Sequence, residues 1–211
     1  MAGLALALMV FFLVLAFGVR VAVALKTTGS SGISSLRVAP TAELVGGGMF
    51  ALATVLGAAN PALALADAIP IWDELDTTAA HAAGTILCLA GILGTFVAQM
   101  AMGSSWRIGV DPSERTELVT GGIFASMRNP IYTFMIVTWT GFALLVPTWV
   151  ALAAGVLLVA GIQIQVRAVE EPHMIRTHGE TYLEWACRVG RFVPGIGRLR
   201  PAPGGTRASR P

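Results

Sequence analysis

The side chains able to do chemistry gather in two stretches of the second half of the chain. The first, 103–132, is polar, holds six charges between 103 and 129, and ends on Arg128, Asn129, Pro130 and Tyr132. The second, 163–185, begins with Gln163, Gln165, Arg167, Glu170 and Glu171. Between them no charged residue appears from 130 to 166. As one helix those 37 residues would reach ~55 Å, whereas a hydrocarbon core is ~30 Å thick. The run must fold back, and Pro147-Thr148 is the expected turn. A hairpin of that kind makes its two ends neighbours, so Arg128, Asn129 and Tyr132 should face Gln163, Arg167, Glu170 and Glu171. The product is a convergent cluster of carboxylates, cations and an aromatic ring at a membrane interface.

Each of these residues also has a plainer reading. Arg167 and Glu171 are i,i+4 on a helix and could form an ordinary interfacial ion pair on one face. Gln163 and Gln165 could pack between helices. Asn129-Pro130 reads as a helix start, with Asn at the N-cap and Pro at the first helical position. Residues 172–187 read as a helix, a Gly turn and a second short helix, with Tyr182 and Trp185 at the headgroup level. His173 and His178 are five apart, not at the i,i+4 spacing of a helical metal pair, and no metal site is expected. His81 opens an apolar run and reads as interfacial or packed. Cys88 and Cys187 support neither a disulfide framework nor a zinc site.

The elements that position this cluster are membrane spans. Of 211 residues 55% are hydrophobic and only 12% charged, about half the charge of soluble domains. The expected fold is all-α, a polytopic membrane bundle of about five transmembrane helices, at 2–25, 44–66, 79–102, 130–146 and 149–166. The last two form the hairpin, and a cytoplasmic C-terminal helix follows. Arg20 lies near enough to the end of the first span to snorkel to the interface. That run is too long, and lacks the positive leader, for a signal peptide. Asn60-Pro61 should kink the second span. Gly84, Gly91 and Gly94 should let the third approach a neighbour closely. Residues 1–102 thus hold three spans, 103–194 the functional core, and 195–211 a basic tail expected to be disordered or to lie on anionic headgroups. Residues 167–211 carry eight Arg against four Glu. With Lys26, Arg37 and 103–129 on the same side, this places the C-terminus in the cytoplasm and the N-terminus outside. One Lys against thirteen Arg suggests a GC-rich bacterial genome, hence an inner membrane. The net charge of +2 gives no reason to expect nucleic acid.

The stretch TELVTGGIFASMRNPIY (116–132), the charge-free hairpin and RAVEEPHMIRTHGETYLEWACRVGRFVP (167–194) together resemble the isoprenylcysteine carboxyl methyltransferase family. That family's pattern reads roughly LVTxGxYxxxRHPxY, two spans, a Glu-Glu pair, a Gly, Tyr-x-x-Tyr and a basic Val-Pro end. The likeness covers about residues 104–194.

The resemblance implies a methyltransferase embedded in the membrane, with S-adenosylmethionine as cofactor and a lipid-like or prenylated acceptor as partner. Carried over by position, the cofactor-binding residues are Thr116, Glu117, Leu118, Val119, Phe124, Asn129, Pro130, Ile131 and Tyr132, with Glu170 or Glu171. The catalytic set is Arg167 as the substrate-contacting Arg, with Arg128 and Glu171. Glu170/Glu171 would hold the cofactor's ammonium, Arg128 its carboxylate, and Phe124/Tyr132 its adenine. Two residues depart from the pattern: Asn129 replaces a His and Phe124 a Tyr. Asn cannot act as a base near neutral pH, and Phe keeps stacking area without the hydroxyl. Methyl transfer to a carboxylate needs no base, so catalysis would rest on alignment and exclusion of water. Carboxylate O-methylation is therefore favoured, with N-methylation of a phospholipid amine as the alternative. A nicotinamide-dependent reductase is a second alternative, because HGETYLEWACRVGRFVPGIG also resembles the end of sterol reductases. A non-enzymatic transporter or assembly factor is a third, but the spans offer few intramembrane charges for a substrate path.

Overall fold

The computed structural model describes residues 1–29, 31, 41–107 and 117–200. Thr116, Arg37, most of the 26–40 loop and 201–211 of the tail lie outside the described residues. The described chain is helical, with two isolated β-bridges near its C-terminus. Helices α1 (Ala2–Thr28), α2 (Thr41–Leu65) and α3 (Thr78–Ala101) are long and apolar enough to cross a bilayer, as is the continuous helix Trp149–Arg188. Helix α4 (Pro130–Leu145) is equally apolar but has 16 residues, about 24 Å at 1.5 Å per residue. The long last helix divides into α5 (Trp149–Ile164), a wide π-type turn (Gln165–Glu170) and α6 (Glu171–Arg188). Its charge-free crossing part is α5. The polytopic all-α bundle is the fold, and its crossings number about five.

The reversal between α4 and α5 falls at Pro147. Helix α4 ends at Leu145, and Thr148 caps α5 by accepting from the Ala151 N–H at 3.1 Å. The turn is tied to α2 through buried Asn60, whose amide donates to the Val146 carbonyl at 3.0 Å and whose oxygen accepts from the Thr148 hydroxyl. The Trp72 N–H adds a bond to the Pro147 carbonyl at 2.9 Å. Polar groups at this depth need partners, because lipid supplies none. Helix α2 itself runs through Pro61. The N-terminal end of α3 is capped by Thr77, and His81 pairs with Asp76 at 2.7 Å.

Helices α3 and α4 touch along glycines. A Cβ on Gly91 would stand 2.3 Å from the Thr138 hydroxyl oxygen, and one on Gly94 would stand 2.3 Å from the Phe134 ring. A Cβ on Gly84 would stand 2.9 Å from the Gly141 carbonyl oxygen, and one on Gly141 2.6 Å from the Cys88 nitrogen. Buried Cys88 packs in the same seam. Helices α2 and α5 cross through Gly46 and Gly161, where a Cβ on Gly161 would lie 2.9 Å from the Gly46 carbonyl oxygen.

Arg20 does not snorkel. It is 1% exposed, donates to the Gly103 carbonyl and lies 4.6 Å over the Trp106 ring. A polar turn at the C-terminal end of α3 gives the guanidinium a nearer acceptor than the interface does. The same contact ties α1 to the segment that leads into the functional stretch.

Candidate active site

The site is built where α4 begins. Gly121–Ser126 makes a short turn that buries Phe124. The chain then runs beside the C-terminal segment: the Arg128 and Asn129 N–H groups donate to the Gly190 and Arg191 carbonyls at 2.8 and 3.0 Å. The Asn129 side chain does not cap α4. Its amide donates to the Arg191 carbonyl at 3.1 Å, while Pro130 takes the first helical position. Thr133 donates to the Phe192 carbonyl at 2.7 Å. Gly190 permits this pairing, since a Cβ there would fall 2.0 Å from the Val193 carbonyl oxygen. Within α6, Gly179 at φ +55 and ψ −126 breaks the helix into the two pieces expected. A residue with a Cβ would be strained there.

Arg128 is buried, and its Nη atoms are occupied by the protein. They donate to the Ala186, Val189 and Gly197 carbonyls and, at 2.6 Å, to Glu171 Oε1. Glu171 also accepts two bonds from Arg191, at 2.8 and 2.9 Å. Burial alone would push the Glu171 carboxyl up. The hydrogen bonds and charges of Arg191 and Arg128 outweigh it and hold the group below the ordinary carboxylate range. Reciprocally, the bond to Glu171 raises Arg191. The expected division of labour, Arg128 on an anion and Glu171 on a cation, is therefore corrected: these two groups neutralise each other and clamp α6 to the start of α4. Arg191, outside the expected site residues, completes the clamp.

Glu170 is placed differently. The Tyr132 hydroxyl donates to its Oε1 at 2.5 Å, and no salt bridge to it is formed among the described residues. The two neighbouring acids have separate partners because consecutive residues project about 100° apart on a helix, and the π-type turn ending at Glu170 shifts the register there. It also separates Arg167 from Glu171. Arg167 is exposed, bonds to Gln163 at 2.7 Å and does not line the cavity described next. Its expected pairing with Glu171 and its expected place beside the substrate are both corrected on that ground.

A cavity of about 680 Å³ opens against these groups, a size typical of ligand sites. Glu117, Leu118, Val119, Phe124, Arg128, Asn129, Pro130, Ile131, Tyr132, Glu170 and Glu171 all line it. One end is aromatic, with Phe124, Tyr182 and Trp185 packed against Leu118, Val119, Met102 and Met174. Tyr182 and Trp185 are buried here rather than held at the headgroup level, because α6 folds back over the start of α4. The front half contributes as well. Glu43 of α2, Gln99 of α3, and Trp106 and Arg107 beyond it reach the cavity, and Glu43 is electrostatically coupled to Glu170 and Tyr132. A lone acidic residue at the start of a span was the one available signal for Glu43. On α2 the exposed residues Leu44, Gly47, Gly48 and Ala51, at i, i+3, i+4 and i+7, form one cavity-lining strip. Among the described residues no group of three His, Cys, Asp or Glu could hold a metal.

Residues 79–181, which take in α3, the hairpin and most of α6, match the model of the phospholipid methyltransferase family. The fold is similar to that of the eukaryotic intramembrane Ras methyltransferase, isoprenylcysteine carboxyl methyltransferase. The TM-score is 0.50 at 18% identity, over 87% of this chain and 75% of that one. The chain has an ICMT-like fold, and the matched segment spans just under half of it. The cavity lies between elements of the matched segment: the stretch before α4, the hairpin and α6. No curated protein matches the chain.

Proposed function

We propose that this chain transfers the methyl group of S-adenosylmethionine to a lipid-borne acceptor, with O-methylation of a carboxylate as the favoured reaction. The observation that carries the reading is the continuity of one cavity. It runs from the polar cluster at the ends of the hairpin to the bilayer-facing strip of α2. When bound, S-adenosylmethionine supplies a sulfonium-activated methyl group. The residues present fit such a molecule. Glu170, free of an ion pair among the described residues, suits the ammonium, and the Phe124, Tyr182 and Trp185 wall suits a flat base. Glu117, Leu118 and Val119 line the same cavity. Thr116 is proposed with them.

The acceptor's hydrocarbon would lie along Leu44, Gly47, Gly48 and Ala51, where small residues leave a shallow trough toward the lipid. Catalysis would come from alignment and exclusion of water. Glu171 is locked by two arginines and is a poor base, which suits an acceptor that needs none. A lipid amine is the second reading. Glu170, without an ion pair among the described residues, favours a cationic guest. The basic residues of 103–129 and of the C-terminal segment support a cytoplasmic C-terminus and an outer N-terminus, in a bacterial inner membrane.

Calorimetric titration of the purified protein with S-adenosylhomocysteine and NADPH tests the donor. S-adenosylhomocysteine should bind and NADPH should not. Glu170→Gln should weaken S-adenosylhomocysteine about ten- to a hundredfold, the usual range for a hydrogen bond to a charged group. Binding of NADPH alone would overturn the reading.

A further inference from the structure

Gln99 uses one half of its amide within the protein and leaves the other half unmet. It lies in the last turn of α3, is 2% exposed, and donates its amide N–H to the Ala16 carbonyl at 3.1 Å. Ala16 belongs to a π-type turn in α1, Val14–Val19, an irregularity frequent at functional sites. A carbonyl can only accept, so the amide nitrogen must face Ala16 and the side-chain oxygen is the end left over. That oxygen is shut from water and has no partner among the described residues, a state that native structures rarely leave uncompensated. Gln99 lines the cavity and Ala16 does not, so the oxygen is the polar end of this side chain that a guest can reach.

We infer that Gln99 is a specificity-determining residue for the methyl acceptor: its side-chain oxygen accepts a hydrogen bond from an N–H or O–H group carried beside the carboxylate to be methylated. The inference rests on the carboxylate O-methylation reading above and goes further by naming the second group that the acceptor must carry. The elements that build the lining assign Gln99 to the acceptor. The residues fitted to the methyl donor all come from 116 onward. Gln99 instead enters the cavity from α3, tied to α1, whose Phe17 also lines it, and the hydrocarbon trough on α2 belongs to the same front half. An ionised carboxylate has no hydrogen to donate, so Gln99 cannot hold the reacting group itself. The carboxylate oxygen forms the bond to the methyl carbon as the carbon–sulfur bond breaks, with its electron pair left on sulfur. No proton moves, and Gln99 acts by binding alone. A site built to pair a donor discriminates against an analogue that lacks it, because the site's own polar group is then left unpaired. A plain fatty carboxylate is therefore a poor guest, and one bearing an adjacent amide N–H or hydroxyl is a good one.

The test measures binding of two matched pairs of probes to the full chain in detergent micelles. In the first pair, N-palmitoylglycine carries an amide N–H beside its carboxylate, and O-palmitoylglycolate puts an ester oxygen in that place. In the second, 2-hydroxypalmitate carries a hydroxyl there and palmitate carries none. In at least one pair the wild type should bind the donor-bearing member about tenfold more tightly, the usual worth of one hydrogen bond, and the pair that does so tells N–H from O–H. Partition into the micelle works the other way, since the ester and palmitate are the more apolar members. Gln99→Met keeps the length of the side chain, removes the acceptor, and should bring that pair to equal affinity. The wild-type pairs decide the matter even if Gln99→Met fails to fold. Equal binding within both pairs, which a water held on the Gln99 oxygen would give, overturns the inference. So does a preference retained in folded Gln99→Met, or binding of no probe at all. S-adenosylhomocysteine is titrated on the same samples: its binding alongside such a result leaves the proposed methyl donor standing, and its failure to bind overturns the proposed function and the inference with it.

Discussion

Replacing Glu171 by Gln should unfold this protein more readily without first touching ligand binding. The carboxylate accepts three charged hydrogen bonds at 2.6, 2.8 and 2.9 Å from Arg128 and Arg191. The Arg128 side chain is 1% exposed and that of Glu171 10%, so solvent cannot replace what is lost. Gln keeps the volume and one acceptor oxygen but turns an N–H₂ toward guanidinium donors, and Arg128 is left charged and buried. Removing one partner of a buried pair costs about 3–5 kcal/mol. Arg191 is partly exposed, which points to the lower end, about 3 kcal/mol. For a chain of this size that is a fall of roughly 6–12 °C in Tm. The assay is thermal unfolding in detergent micelles of the wild type, Glu171→Gln, Arg191→Gln and the double variant. Because both single changes break one network, the double loss should fall short of their sum by about 1 kcal/mol or more. A Glu171→Gln protein that melts within 2 °C of the wild type (on the order of 1 kcal/mol) would refute the reasoning. If it also lost S-adenosylhomocysteine binding, Glu171 would be a ligand group after all.

Two further changes probe the packing and the front half. Gly91→Ala puts a methyl 2.3 Å from the Thr138 hydroxyl oxygen and should cost about 1–3 kcal/mol through overpacking. Gly47→Ala, which meets nothing within 4 Å, should leave the unfolding temperature unchanged, and equal effects of the two would contradict the close α3–α4 approach. Arg20→Met removes the bond to Gly103 and the contact with Trp106, but also a buried cation. Stability should move by less than about 1 kcal/mol, while S-adenosylhomocysteine binding weakens several-fold because the wall formed by Trp106 and Arg107 loosens. Titration of the folded variant with unchanged affinity would show that α1 does not shape the cavity.

Much of this architecture was legible because charge and length leave few options in a bilayer. The charge-free run 130–166 is too long for one crossing, so a reversal was required and Pro147 was the available place. From that alone follow the meetings of Tyr132 with Glu170 and of Arg128 with Glu171. The glycines of α3 were readable for a similar reason, since a Cβ-free stripe in a span has a packing use. Other features were hidden because backbone atoms decide them. The π-type turn at Gln165–Glu170 has no side-chain signature, so Arg167 and Glu171 were assigned one face by the ordinary helical register. Arg128 was read as a ligand-binding cation because its carbonyl partners, Ala186, Val189 and Gly197, carry no mark in the sequence. Tyr182 and Trp185 have the amphipathic character that suits an interface and a ligand pocket equally, and only the fold-back of α6 separates the two.

The two adjacent glutamates show how one site divides structure from chemistry. Both sit at the inner end of the hairpin and both line the cavity, yet their surroundings give them opposite characters. Glu171 meets two arginines and is neutralised, which fixes the C-terminal segment against the start of α4 and holds Phe124, Tyr182 and Trp185 together. Glu170 meets a phenol and feels the charge of a second carboxylate from α2. A carboxylate kept among neutral and acidic neighbours is costly unless a cation arrives, so the binding free energy of a cationic guest includes relief of that cost. The clamp and the unpaired acid are therefore complementary. Glu171 engages both Arg128 and Arg191, which leaves Glu170 without a cationic partner among the described residues.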